Sequence, residues 1–147
     1  MYESLMVFNR GLDRENERVV AAQMEAAFKC TVHDFGSLND VDFWLEKDGA
    51  LAAYVEMKTR TQSSTKFPTV YLSIRKWLAM NLLSVGVEVP CLFVVKFSDE
   101  VRWINLKDVD ARSTHICERS DHRAANDREP VVLVPVSDMT ILPELVS

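Results

Sequence analysis

The stretch Val41-Asp42-Phe43-Trp44-Leu45-Glu46-Lys47-Asp48-Gly49-Ala50-Leu51-Ala52-Ala53-Tyr54-Val55-Glu56-Met57-Lys58 decides the fold. Residues 41–46 and 51–58 are rich in β-branched, aromatic and small apolar side chains, and Lys47 to Ala50 supplies turn residues between them. Side chains alternate along a strand, so Asp42, Trp44 and Glu46 share one face, and Ala52, Tyr54, Glu56 and Lys58 share another. A two-residue Asp48-Gly49 loop would set Asp42 against Val55, on the wrong face. A three-residue loop over 48–50 sets Glu46 against Ala52, Trp44 against Tyr54 and Asp42 against Glu56. The aromatic cross-strand pair favours the second register.

In that register two carboxylates stand roughly 5 Å apart, and their repulsion is on the order of 3 kcal/mol at an effective dielectric near 20. A divalent cation converts this penalty into binding energy. Two carboxylates, a backbone carbonyl and several waters suit Mg²⁺, which keeps much of its hydration shell. Lys58 would then stand beside the ion, able to hold or polarise a water. The competing reading is an exposed hairpin edge with scattered charges.

Outward from the hairpin, a helix is expected from about Leu12 to Phe28, with Asp13 as a possible N-cap. At about 100° per residue, Val20, Met24, Ala27 and Phe28 form its apolar stripe, and Glu17 projects within that stripe. Glu15 points to the far side and Glu25 to the shoulder. A glutamate on a buried face needs a partner, which makes Glu17 a candidate third ligand or a holder of metal-bound water.

The order helix with Glu17, strand with Asp42, strand with Glu56-Met57-Lys58, then helix resembles the PD-(D/E)XK nuclease superfamily. That superfamily includes restriction endonucleases and archaeal-type Holliday-junction resolvases. The resemblance covers roughly residues 10–97. It implies an α/β, restriction-endonuclease-like core: a central mixed β-sheet flanked by helices in the order αβββαβ, here with a C-terminal β extension. It also implies a Mg²⁺-dependent phosphodiesterase site, with Mn²⁺ able to substitute. Asp42, Glu56 and the Met57 carbonyl would hold the ion, Glu17 would complete the site directly or through water, and Lys58 would be the catalytic lysine. The proline of the motif's name is absent, since Val41 precedes Asp42. Asp40 is the second choice for the motif aspartate.

With 147 residues, a net charge of −5 and no apolar run of membrane-span length, the chain reads as one domain, 1–147, of a globular protein. The N-terminal MYESLMVFNR does not read as a signal peptide. Three cysteines, an odd count, argue against a disulfide framework and fit a reducing cytoplasm, with Cys30 and Cys91 in core-like contexts. Overall acidity is unusual for a nucleic-acid enzyme, but its distribution is uneven. Met57 to Val87 contains no Asp or Glu, yet carries Lys58, Arg60, Lys66, Arg75 and Lys76. The last four are the candidate contacts to a nucleic-acid backbone.

Further along, Thr59 to Thr69 is a polar loop whose Gln, Ser and Thr side chains could donate to phosphates. Ser73 is expected to cap a helix that Gly86 ends, with Ile74, Trp77, Leu78, Leu82 and Val85 on its buried side. Pro90 to Phe97 reads as a buried central strand, with Val101 to Leu106 as its antiparallel neighbour. Residues 107–129 read as irregular, and 131–136 as a short strand that Pro135 demotes to an edge. His115, Cys117 and His122 match no common zinc spacing.

The first expectation is therefore a metal-dependent endonuclease acting on DNA, with a homodimer the natural way to cut two strands. The second is a catalytically inactive nuclease-like module that binds nucleic acid or a protein partner.

Overall fold

The computed structural model describes residues 2–35, 42–110, 112, 114–118 and 128–145; within 2–13, 114–118 and 128–129 it describes the backbone alone. Asp40 and His122 lie outside the described residues, as do the side chains of His115 and Cys117.

The long helix α1 covers Tyr2–Phe28. It begins well before Leu12, so Asp13 is an interior residue and no N-cap. The strands that follow are β1 (Thr31–Asp34), β2 (Phe43–Lys47), β3 (Ala50–Thr59) and β4 (Thr69–Ser73). Helix α2 runs Ile74–Val87, then come β5 (Cys91–Lys96) and β6 (Val101–Asn105). Short 3₁₀ turns at Leu106–Asp108 and Val136–Asp138 flank β7 (Thr114–Glu118) and β8 (Arg128–Pro135), and β9 (Thr140–Leu142) ends the series.

Six strands form the central sheet in the order β1-β2-β3-β5-β6-β9, and β4-β8-β7 form a second sheet. The β3–β5 pair is parallel and every other pair of the central sheet is antiparallel. The sheet is therefore mixed, and α2 lies on the crossover from β3 to β5. With β4 set aside in the smaller sheet, the order α1-β1-β2-β3-α2-β5 is the expected αβββαβ core, followed by a β extension.

Alternation along the central strands sorts the core into two layers. Val55, Met57, Leu92 and Val94 pack with Val20 and Met24 of α1. Tyr54, Cys91, Phe93 and Val95 pack on the opposite face with Met80 of α2 and with Val70, Leu72, Val132 and Val134 of the second sheet. Burial on both faces explains why β5 reads as a continuous apolar run.

The hairpin register combines both loop expectations. Asp48 and Gly49 have φ of 53° and 79°, the two positive values that a two-residue type I′ turn requires. Lys47 thus pairs with Ala50 and Glu46 with Leu51, not with Ala52. A β-bulge then inserts one residue, so that Leu45 meets Ala53, Trp44 meets Tyr54 and Phe43 meets Val55. The turn is the shorter one, yet the bulge restores the register of the longer one.

Several local expectations are corrected. Part of the polar loop and the residues before α2 form β4, because its alternating Val70 and Leu72 find a partner in β8. β8 is the middle strand of its sheet, not an edge; Pro135 is tolerated because it closes the strand opposite Thr69. The segment expected to be irregular contributes β7. Ser73 caps α2 as expected, its Oγ accepting from Arg75 N at 3.2 Å. Gly86 does not end the helix. The chain stays helical to Val87, and Glu88 takes the left-handed cap at φ 58°, its N–H donating to the Ser84 carbonyl at 2.8 Å. Pro90 bars further helix by restricting the residue before it. On α2 the core side is Ile74, Trp77, Met80 and Leu83, whereas Leu78, Leu82 and Val85 are exposed. The helix is apolar nearly all round, so its periodicity could not select the face.

Candidate active site

Asp42 stands where β2 begins. Its backbone N–H donates to the Val55 carbonyl at 3.1 Å, and its own carbonyl accepts from Phe35 N at 3.1 Å. The backbone is therefore held between the end of β1 and the middle of β3. The ladder pairs of β2 stop at Phe43, which would leave the Met57 N–H without a strand partner. The Asp42 side chain takes that role, with Oδ2 accepting from Met57 N at 2.8 Å. Within a strand, the N–H and C=O of one residue point to the same edge. The Met57 carbonyl thus faces the same opening beyond the end of β2.

Glu56 alternates with Tyr54 and so lies on the α2 side of the sheet. It is 2% exposed. One carboxylate oxygen, Oε1, is buried without a hydrogen-bond partner among the described residues. Lys76 of α2 approaches that oxygen, with Nζ 3.5 Å away, close enough for an ion pair. Burial first, and then the Asp42 charge, raise the Glu56 carboxyl against the opposing pull of Lys76 and Lys58, to a net value of about 7. Lys58, two residues on, shares the face of Glu56 and is half-buried.

Two carboxylates whose charges interact, one of them buried, with the Met57 backbone bonded to the Asp42 side chain, form a donor set that suits a hard divalent cation. Among the described residues no group of three His, Cys, Asp or Glu side chains is close enough to hold a metal. The ion would thus have two carboxylates and complete its shell with water.

Glu17 is half-buried, whereas Glu15 and Glu25 are exposed. Glu15 pairs with Arg18 at 3.6 Å, and Glu25 accepts from Val32 N at 2.9 Å. Glu17 lines a recess of about 140 Å³ together with Arg14, Arg18, Val32, Asp34 and Phe43. Val20 and Met24 of the same helix pack against the sheet face opposite to Glu56. The structure therefore does not gather Glu17 with Asp42 and Glu56 into one three-acid cluster, and it sets Asp34 beside it.

The four flanking cations have different fates. Arg60 is half-buried and lines a recess of about 430 Å³ with Gln62, Phe67 and Tyr71 among its walls; burial lowers its pKa. Lys66 is exposed, its Nζ 5.7 Å from the Phe67 ring centre. Arg75 is exposed in the first turn of α2. Lys76 points to Glu56, which sequence reasoning missed: the two are 20 residues apart, and only the packing of α2 joins them. In the polar loop, Ser64 is buried and donates through both N and Oγ to Asp99 at 2.8 Å. Its hydroxyl fastens the loop to the β5–β6 turn instead of facing outward.

A family model described as "Phage putative PDDEXK endonuclease" matches residues 6–142, nearly the whole chain, and the chain belongs to that family. Among solved structures the fold is similar to that of Archaeoglobus fulgidus Hjc, a Holliday junction resolvase from an archaeal hyperthermophile. The TM-score is 0.56 at 11% identity, over 87% of this chain and 92% of that one. At that identity the likeness is one of fold. A comparison with curated protein sequences finds no match. The family resemblance therefore holds, and so does the α/β nuclease fold. Among the described residues no helix is long and apolar enough to cross a membrane.

Proposed function

We propose that the protein is a Mg²⁺-dependent endonuclease that hydrolyses phosphodiester bonds in DNA. The observation that carries this is the buried Glu56 carboxylate, set near enough to Asp42 for the two charges to interact, its Oε1 without a hydrogen bond among the described residues and met by Lys76 Nζ at 3.5 Å. Two neighbouring carboxylates, one of them buried, repel each other, and a single ammonium offsets only part of their charge. Membership of a PDDEXK endonuclease family supports the same reading.

In this proposal Asp42, Glu56 and the Met57 carbonyl hold the ion. When bound, Mg²⁺ supplies Lewis-acid stabilisation of the phosphate and acidifies a water, and Mn²⁺ can replace it. Asp42 does two tasks, since the bond to Met57 N fixes the carboxylate that must also face the cation. Lys58 orients the attacking water and offsets negative charge that develops on the phosphate. Glu17 enters only at one water's remove, given its place beside Asp34. Arg60, Lys66 and Arg75 take the flanking phosphates, and a homodimer would bring two such sites to two strands.

Calorimetric titration with Mn²⁺ or Mg²⁺, run beside a panel of labelled duplex, junction and single-stranded DNAs, tests the reading. Binding that vanishes in Asp42→Ala, together with metal-dependent cleavage, is the expected result. Absence of both from the wild-type chain would sink it and leave an inactive nuclease-like module that binds nucleic acid or protein.

A further inference from the structure

Lys76 lies outside the Glu-x-Lys strand, yet its ammonium is the cation closest to hand for the buried oxygen of Glu56. Nζ lies 3.5 Å from Oε1, and the two side chains are 29% and 3% exposed. Oε1 has no hydrogen-bond partner among the described residues, so this ion pair is the compensation seen at that oxygen. Lys76 belongs to the first turn of α2, where the helix dipole disfavours a positive charge. The first turn carries no acidic residue to offset it. A lysine kept at an unfavourable helix position and turned toward a buried carboxylate is placed for that carboxylate. Arg75, next to it in the same turn, is exposed and provides an internal contrast.

We propose that Lys76 is the resident counter-ion of Glu56: a positioning residue that holds this carboxylate when no divalent cation is bound, and that competes with such a cation for it. This rests on the reading of Asp42 and Glu56 as a cation site. An ammonium and a divalent cation both seek the same Oε1, and each repels the other. Binding the ion therefore requires the Lys76 side chain to give way, which its partial exposure and flexible stem permit. The position is distinct from that of Lys58, which shares a strand face with Glu56 and extends from β3 itself.

The test is Mn²⁺ titration of the full chain, free of DNA, for wild type, Lys76→Met and Arg75→Met. Both variants remove one positive charge from the same helix turn. Lys76→Met is expected to bind Mn²⁺ about tenfold more tightly, the effect of one partly screened unit charge. Arg75→Met is expected to change affinity less than about twofold, because an exposed charge is screened by water and salt. Lys76→Arg keeps the charge and should stay near wild type. Should Lys76→Met fail to fold, Lys76→Gln carries the same expectation. Affinity in the Lys76 variant that is unchanged, weaker or equal to that of Arg75→Met overturns the inference while leaving the cation site intact. If no variant and no wild-type chain binds Mn²⁺, the endonuclease reading fails as well, and Lys76–Glu56 is a structural ion pair only.

Discussion

Along β3 from Ala53 onward, past the bulge, odd and even residues meet different surroundings. Ala53, Val55 and Met57 face α1 and pack with Val20, Met24, Leu92 and Val94 in an apolar cluster. Tyr54 begins the other face in an equally apolar layer with Met80 and Phe93, but two residues later the same face carries Glu56 and then Lys58. One strand therefore serves as a packing surface on one side and as a transition from core to chemistry on the other. The rigidity that the first face provides is what lets the second hold a buried carboxylate at a fixed place. A charge buried 2% exposed is costly, and the surrounding core must supply that energy.

The contrast predicts that substitutions on the two faces separate activity from stability. The largest effects belong to the polar face. Glu56→Ala should lose metal binding and lower cleavage by about a thousandfold or more, and Lys58→Ala should lower cleavage about as much with metal binding nearly intact. Calorimetry beside a cleavage assay checks both; equal loss of metal binding in the two variants would refute the division of roles. On the apolar face, Met24→Ala should cost about 2–5 kcal/mol of stability in denaturant unfolding while leaving cleavage per folded molecule unchanged.

A third expectation concerns pH in the absence of metal. The Glu56 carboxyl titrates near 4.5 when unfolded and at about 7 when folded. Between those values the folded state binds more protons, so stability falls as pH rises. The full loss, about 3 kcal/mol at 1.36 kcal/mol per pKa unit, is reached above pH 7. Glu56→Gln should flatten this part of the profile in chelator-treated protein. A wild-type profile that rises across the same window would contradict the burial cost assigned to Glu56.

Smaller effects should follow from the periphery. Glu17→Ala is expected to lower cleavage less than Asp42→Ala does, since Glu17 lies on the α1 side beside Asp34. Equal losses would place it in direct contact with the ion. Arg75→Ala should leave metal affinity alone and reduce the salt dependence of DNA binding by about one phosphate contact, measured as a change of slope in log–log titrations.

The hairpin, the long helix before it, the capped helix after it and the buried β5 were all legible in the sequence, because each rests on local patterning. Alternation marked the faces of β3 from Ala53 onward, but Ala52, expected on the face of Tyr54, packs with the α1-side cluster because the bulge falls there. Ser73 announced its helix through a cap that needs only neighbours in the chain. The pairing of Trp44 with Tyr54 followed from residue types, although the route to it, a two-residue turn corrected by a bulge, did not.

What the sequence by itself determined is thus the two helices, the β2–β3 hairpin, the β5–β6 pair and the register that sets Asp42 near Glu56, since a hairpin joins them at short range. Only the tertiary structure decided the rest. It set α1 and α2 on opposite faces of the sheet and brought Lys76 to Glu56. It made β8 the centre of a second sheet and left Leu82 exposed on α2. These outcomes depend on which face each helix turns to the sheet and on strand pairings across long stretches of chain. Local propensity carries no information about either, because the free energy that chooses them comes from burial shared between distant segments.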